Sequence, residues 1–458
     1  MKALQFIEKH TRGKGSRGLY VTACLFPVVA GVIAKLKHHS WMYMDVDAVI
    51  CAARAVGIGH SAYGIVAHSP FNPVCPGLTP AAYVYAPQIA RTLAPLVGLF
   101  GAHTLHDLYL VLLLAPATAF MLWFALIRTF PGVAPTYRWL AFAALSPMTF
   151  CCANIGIVMH ATVVLSLVAF RNRKLPFIAT VLACAYIKPS FLSYLIILLI
   201  QDRSWLACAR AFACTCLCGV GVVWLSFIQA ASMRSDWLAT LRSVAIQEQP
   251  GLGWFALAEW LGIGTGTPLH AILTLAYMAV AAGSGILIGS RFKWSDDERI
   301  LIGLGTAVFL NPRLMDYDMI ILVPYAALLA TLANQFRNRV LSFNLSWGFA
   351  LPLAFGIFAN AFHIKSYHRT HTAMFVFFVM GLVIAIRCAQ TLWLDRSPSQ
   401  LPWHLTKLFG KPCDLPSQNP PGGTAACRHA GGAQPGPAYA ERSSRRRPVR
   451  DLWQRPAG

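Results

Sequence analysis

The stretch LYLVLLLAPATAFMLWFALI, residues 108–127, decides the fold class of this chain. No charged residue lies between Asp107 and Arg128, and about 20 apolar residues are what a helix needs to cross the hydrocarbon core of a bilayer. The segment is apolar on all sides, whereas a surface helix of a soluble protein carries a polar face. It therefore predicts a membrane-spanning helix.

Similar apolar runs recur along the 458 residues, of which 57% are hydrophobic and only 12% charged. A soluble domain could not hide so much apolar surface in one core. We predict an all-α, polytopic transmembrane bundle of about 10–12 membrane segments, with helices in the extracytoplasmic loops. Besides residues 107–128, the predicted spans are 18–36, 137–153, 155–170, 206–229, 268–290, 298–312, 317–334, 344–363 and 373–394.

A further apolar stretch, residues 174–201, is interrupted at Lys188-Pro189. Proline disfavours helical geometry in the residue before it, so we predict two short helices that meet there. Lys188 is the only charged residue between Lys174 and Asp202. An ionisable group at membrane depth is a candidate functional residue, and snorkelling to the interface is the structural alternative.

The net charge of +21 comes from Lys and Arg residues between the apolar runs and at both ends. The positive-inside rule then predicts cytoplasmic termini and cytoplasmic loops at 128–138, 291–299 and 337–339. The connections at 40–106, 154, 230–267, 311–317 and 363–372 are expected outside. This distribution favours membrane lipids over nucleic acid as the partner of the basic residues.

The chain divides into a membrane domain, residues 1–394, and a tail, residues 395–458, rich in Pro, Gly, Ser and Arg. Such a tail cannot bury a core, so we expect it to be a disordered, basic, cytoplasmic segment. The thirteen cysteines are scattered. Most are expected to be buried small hydrophobes, but Cys51 and Cys75 share the first outer loop, where a disulfide can form.

The first candidate site is the sequence WMYMDVD, residues 41–47, at the outer end of the first span. Its carboxylates, Asp45 and Asp47, precede an apolar segment that could lie along the membrane surface as a helix. A carboxylate partly shielded from water at this boundary can serve as a general base. The alternative is that Asp45 or Asp47 caps the following helix.

The second candidate site is the short outer connection NPRLMDYD, residues 311–318. The Arg313 guanidinium could bind a phosphate in bidentate fashion, or it could pair internally with Asp316 or Asp318. The histidines at 160, 363, 368 and 371 show no metal-ligand spacing and are expected to be interfacial or packing residues. Aromatic residues of the outer loops, such as Tyr85, form an interfacial belt or stack against a sugar.

The order of these features resembles the multi-spanning, polyprenyl-phosphate-dependent glycosyltransferases of the C-type superfamily, and most closely glycosyltransferase family 87, which includes mannosyltransferases. The elements that carry the resemblance are Asp45, Ala52-Ala53, Gly59, Tyr63, Tyr85-Ala86-Pro87, Lys188-Pro189, Asn311-Pro312-Arg313 and Asp316-Tyr317-Asp318. They are short and spread over residues 18–394. The chain departs from the family at Asn154-Ile155-Gly156, where Gly-Gln is frequent.

The resemblance implies an inverting transfer of mannose or another hexose from a polyprenyl phosphate to an extracytoplasmic lipid or glycan acceptor, in the bacterial inner membrane. Asp45 would be the base, with Asp47 as the second candidate, and Lys188 and Arg313 would bind the donor phosphate. Tyr63, Tyr85, Asp316 and Asp318 would contact the sugar or acceptor. No cofactor is expected, no metal-binding residue is assigned, and a requirement for a divalent metal is left open. The sequence shows no glycine-rich phosphate loop.

Two other classes of protein remain open at this point. A transporter or flippase of a lipid-linked saccharide would also need basic groups near a phosphate, but it usually has paired broken helices in two corresponding halves. Only one clear break is visible, at Lys188-Pro189. The other class is a non-catalytic membrane protein of envelope assembly, in which Asp45 would only cap a helix.

Overall fold

The elements of the computed structural model are helices throughout the residues it describes, which confirms the all-α class for those residues. The structure describes residues 14–38, 42–63, 74–131, 133–170, 173–201, 205–248, 251–291, 294–335, 377–386 and 388–389. The helices are α1 Lys14–His38, α2 Met44–Gly57, α3 Pro87–Phe100, α4 Ala102–Ile127, α5 Pro135–Phe142, α6 Met148–Cys151, α7 Ile155–Ala169, α8 Lys174–Ile187, α9 Pro189–Gln201, α10 Trp205–Ala230, α11 Arg234–Thr240, α12 Trp254–Trp260, α13 Pro268–Arg291, α14 Asp296–Phe309, α15 Met319–Gln335 and α16 Phe377–Ile386.

Four helical segments are long and apolar enough to cross a membrane: Gly15–Lys37, Ala102–Ile127, Ala209–Val244 and Pro268–Ser290. They cover the predicted spans at 18–36, 107–128, 206–229 and 268–290. Each carries large apolar side chains on its outside, such as Leu217, which is 74% exposed. Contiguous exposed apolar surface of this kind suits lipid as the surrounding solvent.

The centre of the bundle is the pair α14 and α15, which pack against each other. Helix α14 also contacts α9 and α13, and α15 contacts α5. Both helices are buried on nearly all sides, since other helices surround them. Ser295 begins α14 with a capping box, in which its side chain and that of Glu298 bond each other's backbone N–H groups.

The predicted single span at 137–153 is wrong. Helix α5 ends at Phe142, and a separate short helix, α6, follows. Pro147 has no N–H with which to continue α5, and the Ser146 hydroxyl accepts the Met148 N–H at 3.1 Å, which starts the new helix. The predicted span at 344–363, part of that at 373–394 and the whole tail at 395–458 lie outside the described residues.

Loop helices are present in both long connections that we expect outside the membrane, namely α2 and α3 in the first and α12 in the second, into which α11 continues the long segment Ala209–Val244. A disulfide joins Cys51 of α2 to Cys75, with 5.7 Å between the Cα atoms, so the disulfide alternative is confirmed. The segment that follows is held along α2 by the Ala81 N–H, which donates to the Met44 carbonyl at 2.8 Å. The disulfide and this hydrogen bond together hold the helix that carries Asp45 and Asp47.

Candidate functional site

Asp45 lies in the first turn of α2, beside the end of α6. The Tyr43 N–H donates to the Cys151 carbonyl at 2.9 Å, and the Asp45 N–H donates to the Cys152 carbonyl at 3.1 Å. These bonds fix the start of α2 against the end of α6. Tyr43 occupies the N-cap position of α2, so the alternative that Asp45 or Asp47 caps this helix is wrong.

Asn154 connects Asp45 to helix α7. Its Nδ2 donates to Asp45 Oδ2 at 2.9 Å, and its Oδ1 accepts the Gly156 N–H at 2.7 Å, which caps α7. The next contact runs from Gly156 to Tyr317, because a Cβ on Gly156 would lie only 2.6 Å from the Tyr317 ring. Asn154 and Gly156 therefore bring Asp45 and Tyr317 to one place.

Lys188, between helices α8 and α9, reaches Tyr317 as well. The predicted break is confirmed, since α8 ends at Ile187, α9 begins at Pro189, and Lys188 has extended backbone angles. The Lys188 ammonium donates to the Tyr317 hydroxyl at 2.7 Å and lies 4.7 Å from the centre of that ring. Because Tyr317 is only 3% exposed, the ammonium points into the protein rather than snorkelling outward.

The connection from α14 to α15 carries Arg313 and the two remaining predicted carboxylates. Asn311 Oδ1 accepts the Arg313 N–H at 3.2 Å, and Asp318 Oδ2 accepts the Met315 N–H at 2.9 Å. Asp318 Oδ1 lies 2.6 Å from His160 Nε2. The partner that the structure gives Asp318 Oδ1 is thus the His160 imidazole.

His160 is a residue of the candidate site that the sequence pattern does not predict, because a histidine without metal-ligand spacing in an apolar helix is typical of packing or interfacial residues. It is 3% exposed, and its Nδ1 lies 2.7 Å from the Tyr194 hydroxyl. The signal was available, since His160 is the only titratable residue in the apolar helix α7. A small cavity beside it is lined by Ser190, Ser193, Tyr194, Asn311 and Asp318, among others.

The carboxyl groups of the site differ in their electrostatic environment. Burial raises the pKa of Asp45, against the lowering effects of the Asn154 hydrogen bond and of Lys188 and Arg313. Burial also raises the pKa of Asp316 to about 6, helped by the nearby charges of Asp318 and Asp45. For Asp318, burial favours the neutral form, but the His160 hydrogen bond and Lys188 outweigh it and lower the pKa. Carboxylates with pKa values pushed apart suit different roles in one reaction.

Asp47 lies away from this cluster. Residues two apart on a helix point to nearly opposite sides, and Asp47 faces the segment after the disulfide and helix α4. Its Oδ2 accepts the Thr79 N–H at 3.0 Å, and its Oδ1 is 3.6 Å from His106 Nε2. Asp47 therefore anchors the loop at Thr79 to helix α2.

Tyr63 also lies away from Asp45. Its hydroxyl donates to the Tyr85 carbonyl at 2.7 Å, and its ring packs against Tyr83 with 5.4 Å between centroids. Tyr85 is 4% exposed but close enough to Asp45 and Tyr317 for their charges to help burial raise its pKa. Tyr85 therefore lines the back of the cluster, and Tyr63 supports Tyr85.

The second long loop contacts the segment that carries Arg313. The Leu252 N–H donates to the Leu314 carbonyl at 2.6 Å, and the Phe255 N–H donates to the Pro312 carbonyl at 3.1 Å. Gly253 permits this approach, since a Cβ there would lie 2.7 Å from the Pro312 oxygen. The loop therefore positions Arg313 from both neighbouring residues.

We refer to Asp45, Asn154, Lys188, Arg313, Asp316, Tyr317 and Asp318 as the central cluster. Within the ranges that the structure describes, no group of three or more His, Cys, Asp or Glu side chains is arranged to hold a metal ion. Comparison with known protein families, with curated proteins and with solved structures finds no match to this chain.

Proposed function

We propose that this protein is a membrane glycosyltransferase. It transfers a hexose such as mannose from a polyprenyl phosphate to a lipid or glycan acceptor on the outer side of the plasma membrane. The observation that carries the proposal is the central cluster, in which the Asp45 carboxylate shares one region with Lys188 and Arg313. These residues come from three distant parts of the chain. Contacts through Asn154, Gly156 and Tyr317 join Asp45 to Lys188, and the charge of Arg313 acts on both.

In the proposed reaction, Asp45 is the general base. The acceptor hydroxyl oxygen forms a bond to the anomeric carbon of the sugar while the bond from that carbon to the phosphate oxygen breaks. The electron pair leaves with the phosphate, and the hydroxyl proton goes to Asp45. Attack from the face opposite the phosphate inverts the anomeric centre. A pKa raised by burial brings this carboxyl closer to the working pH, which favours proton acceptance.

Lys188 and Arg313 supply positive charge where the phosphate becomes more negative. Fixed cations in a site shielded from water stabilise a developing anion without reorganising at the moment of reaction. The guanidinium can hold two phosphate oxygens at once, and the ammonium acts as a point charge. The half-buried Asp316 is the proposed partner of a sugar or acceptor hydroxyl, while Tyr85 shapes the wall that Tyr63 supports. Asp318, which is buried and bonded by His160 and the Met315 N–H, is a supporting residue rather than a substrate contact.

Lipid-facing helices explain how such a donor would reach the cluster. Its polyprenyl chain dissolves in the bilayer beside exposed apolar side chains, such as those of α4 and α10, while its head group enters the protein. No nucleotide-binding domain is then required. With both termini in the cytoplasm, the loops that carry α2, α3, α11 and α12 face outward, on the side of the acceptor.

The test is sugar transfer by the purified protein in liposomes, with radiolabelled polyprenyl-phosphate mannose and a mixed acceptor extract. We expect Asp45→Asn to lower transfer by at least about 100-fold while donor binding is retained. Asp107→Asn, which changes an exposed carboxylate, is the matched control and should transfer like the wild type. If Asp47→Asn abolishes transfer while Asp45→Asn remains active, the general base is Asp47 and not Asp45.

If the wild-type protein transfers no sugar, one of the two alternative classes of protein applies. If the wild type transfers no sugar but moves the lipid-linked saccharide across the bilayer, the protein is a flippase. If it does neither, while it assembles with other envelope proteins, the non-catalytic alternative takes its place.

A further inference from the structure

A buried chain of hydrogen bonds beside the central cluster takes no part in the proposed proton transfer. It runs from the Tyr194 hydroxyl to His160 Nδ1 over 2.7 Å and from His160 Nε2 to Asp318 Oδ1 over 2.6 Å. The three residues are at most 3% exposed. A fully bonded polar chain in such a setting holds its members in one orientation.

The consequence for Asp318 is that both of its oxygens have a donor inside the protein. His160 Nε2 bonds Oδ1, and the Met315 N–H bonds Oδ2 at 2.9 Å. Asp318 follows Tyr317 directly in the chain, and the Tyr317 hydroxyl accepts the hydrogen bond of the Lys188 ammonium at 2.7 Å, so the negative charge of Asp318 acts on Lys188. The Lys188 ammonium nevertheless bonds the Tyr317 hydroxyl, while Asp318 is engaged by His160.

We infer that His160 is a positioning residue for anion binding: it satisfies Asp318 and thereby leaves the Lys188 ammonium free to bind the phosphate of a polyprenyl phosphate. The inference rests on the proposed function and deepens it. A buried carboxylate that loses its partner must find another, because an uncompensated buried charge is costly. Without His160, the nearby Lys188 becomes that partner and withdraws from the phosphate.

The experiment measures binding of polyprenyl phosphate without a sugar to the purified full-length chain in detergent micelles, by titration calorimetry. We expect His160→Leu to weaken binding about tenfold, which corresponds to about 1.4 kcal/mol. His160→Gln, whose amide can still donate to Asp318, should bind within a factor of about three of the wild type. Met159→Leu, a volume-conserving change on the same helix, serves as the packing control.

The double variant His160→Leu/Asp318→Asn separates positioning from packing. Asparagine can still accept the Met315 N–H but carries no charge to capture Lys188, so the double variant should recover most of the lost affinity. In the transfer assay, His160→Leu should raise KM for the donor more than it lowers kcat, and Asp318→Asn should reverse that rise. A coupling of this kind between two sites is what a double-mutant cycle measures.

The outcomes distinguish this inference from the proposed function. If Asp318→Asn fails to restore binding, if His160→Leu binds like the wild type, or if the wild type binds no polyprenyl phosphate, the inference is overturned. If binding follows the expected pattern and no sugar is transferred, the positioning role of His160 stands and the transferase proposal fails.

Discussion

Single residues join elements of this protein that are far apart in the chain. Asn154 uses one end of its amide to cap α7 and the other to bond Asp45. Its neighbour Gly156 has no side chain, which lets the Tyr317 ring lie against the start of α7. Because Tyr317 in turn accepts the Lys188 hydrogen bond, the geometry of the central cluster depends on the small size of residue 156.

Gly156→Ala tests that dependence. The added Cβ would lie 2.6 Å from the Tyr317 ring and 2.8 Å from Asn154 Oδ1, so at least one of them must move. We expect a loss of about 1–3 kcal/mol in the free energy of unfolding and a loss of sugar transfer. Gly98→Ala, on an exposed part of α3 with open space around it, should be neutral or slightly stabilising. Thermal melting in detergent compares the two, and equal effects would contradict the prediction.

Asp316 is expected to make stability depend on pH. Because burial raises its pKa from 3.8 to about 6, the folded chain binds this proton more tightly than the unfolded chain does. The stabilisation is therefore complete below about pH 4 and is lost as the pH rises through about 6. Asp316→Asn, which stays neutral, should melt above the wild type at about pH 7.5 and close to it at about pH 4. A melting difference that does not change with pH would refute this, and Asp107→Asn is the control.

At the scale of elements, interruptions in helices create the site. The break at Lys188-Pro189 turns a charged side chain inward between α8 and α9, and the break after α5 sends the chain through α6 to the start of α7. Helix ends leave unpaired backbone groups, and here the carbonyls at the end of α6 accept the N–H groups at the start of α2. The central cluster thus lies where several helices begin or end.

The contact between the second long loop and the Arg313 segment is tested by Gly253→Ala. A Cβ at Gly253 would meet the Pro312 oxygen at 2.7 Å and the Leu314 nitrogen at 3.2 Å, and backbone atoms cannot turn away as a side chain can. We expect the loop to move off this segment and polyprenyl phosphate affinity to fall about tenfold, measured by titration calorimetry. Gly264→Ala, whose Cβ meets only Thr267 at 3.4 Å, should bind normally. Unchanged affinity in Gly253→Ala would contradict the contact's role.

At the scale of the whole molecule, the apolar exterior and the distribution of charge predict how the protein lies in a membrane. Helix α13 connects the second long loop to the acidic start of α14. Arg128 and Asp297, at the ends we assign to the cytoplasm, form an ion pair of 3.1 Å. The loop at the other end of α13 contains the exposed Trp260, and aromatic residues favour the interface.

Cysteine labelling at the two ends of α13 tests this orientation. Gly264→Cys and Asp296→Cys, both at exposed positions, are made in a background whose native cysteines other than Cys51 and Cys75 are replaced by alanine. A membrane-impermeant maleimide should label residue 264 in intact cells and residue 296 only after permeabilisation, because a spanning helix separates them. Labelling of both, or the reverse order, would contradict the predicted topology.

Much of the fold follows from the sequence because it depends on local pattern. Charge-free apolar runs place the long helices, and Lys188-Pro189 places the break, since a chain in lipid must satisfy its backbone groups within each helix. The sequence pattern does not predict the turn inside residues 137–153, because Ser146-Pro147 is only a two-residue interruption of an apolar run. Composition predicted apolar helices long enough to cross a membrane, and the described residues contain four of them.

The sequence pattern predicts which residues are candidates for chemistry: Asp45, Lys188, Arg313 and the carboxylates that follow Arg313. Which of these candidates lie together depends on the packing of the helices. It separated Asp45 from Asp47, which share a helix but face opposite sides of it, and it recruited His160 and Asn154, whose partners lie more than 100 positions away. The physical reason is that charge and apolar run length are local properties of a chain, whereas the partner of a buried polar group is set by the packing of helices.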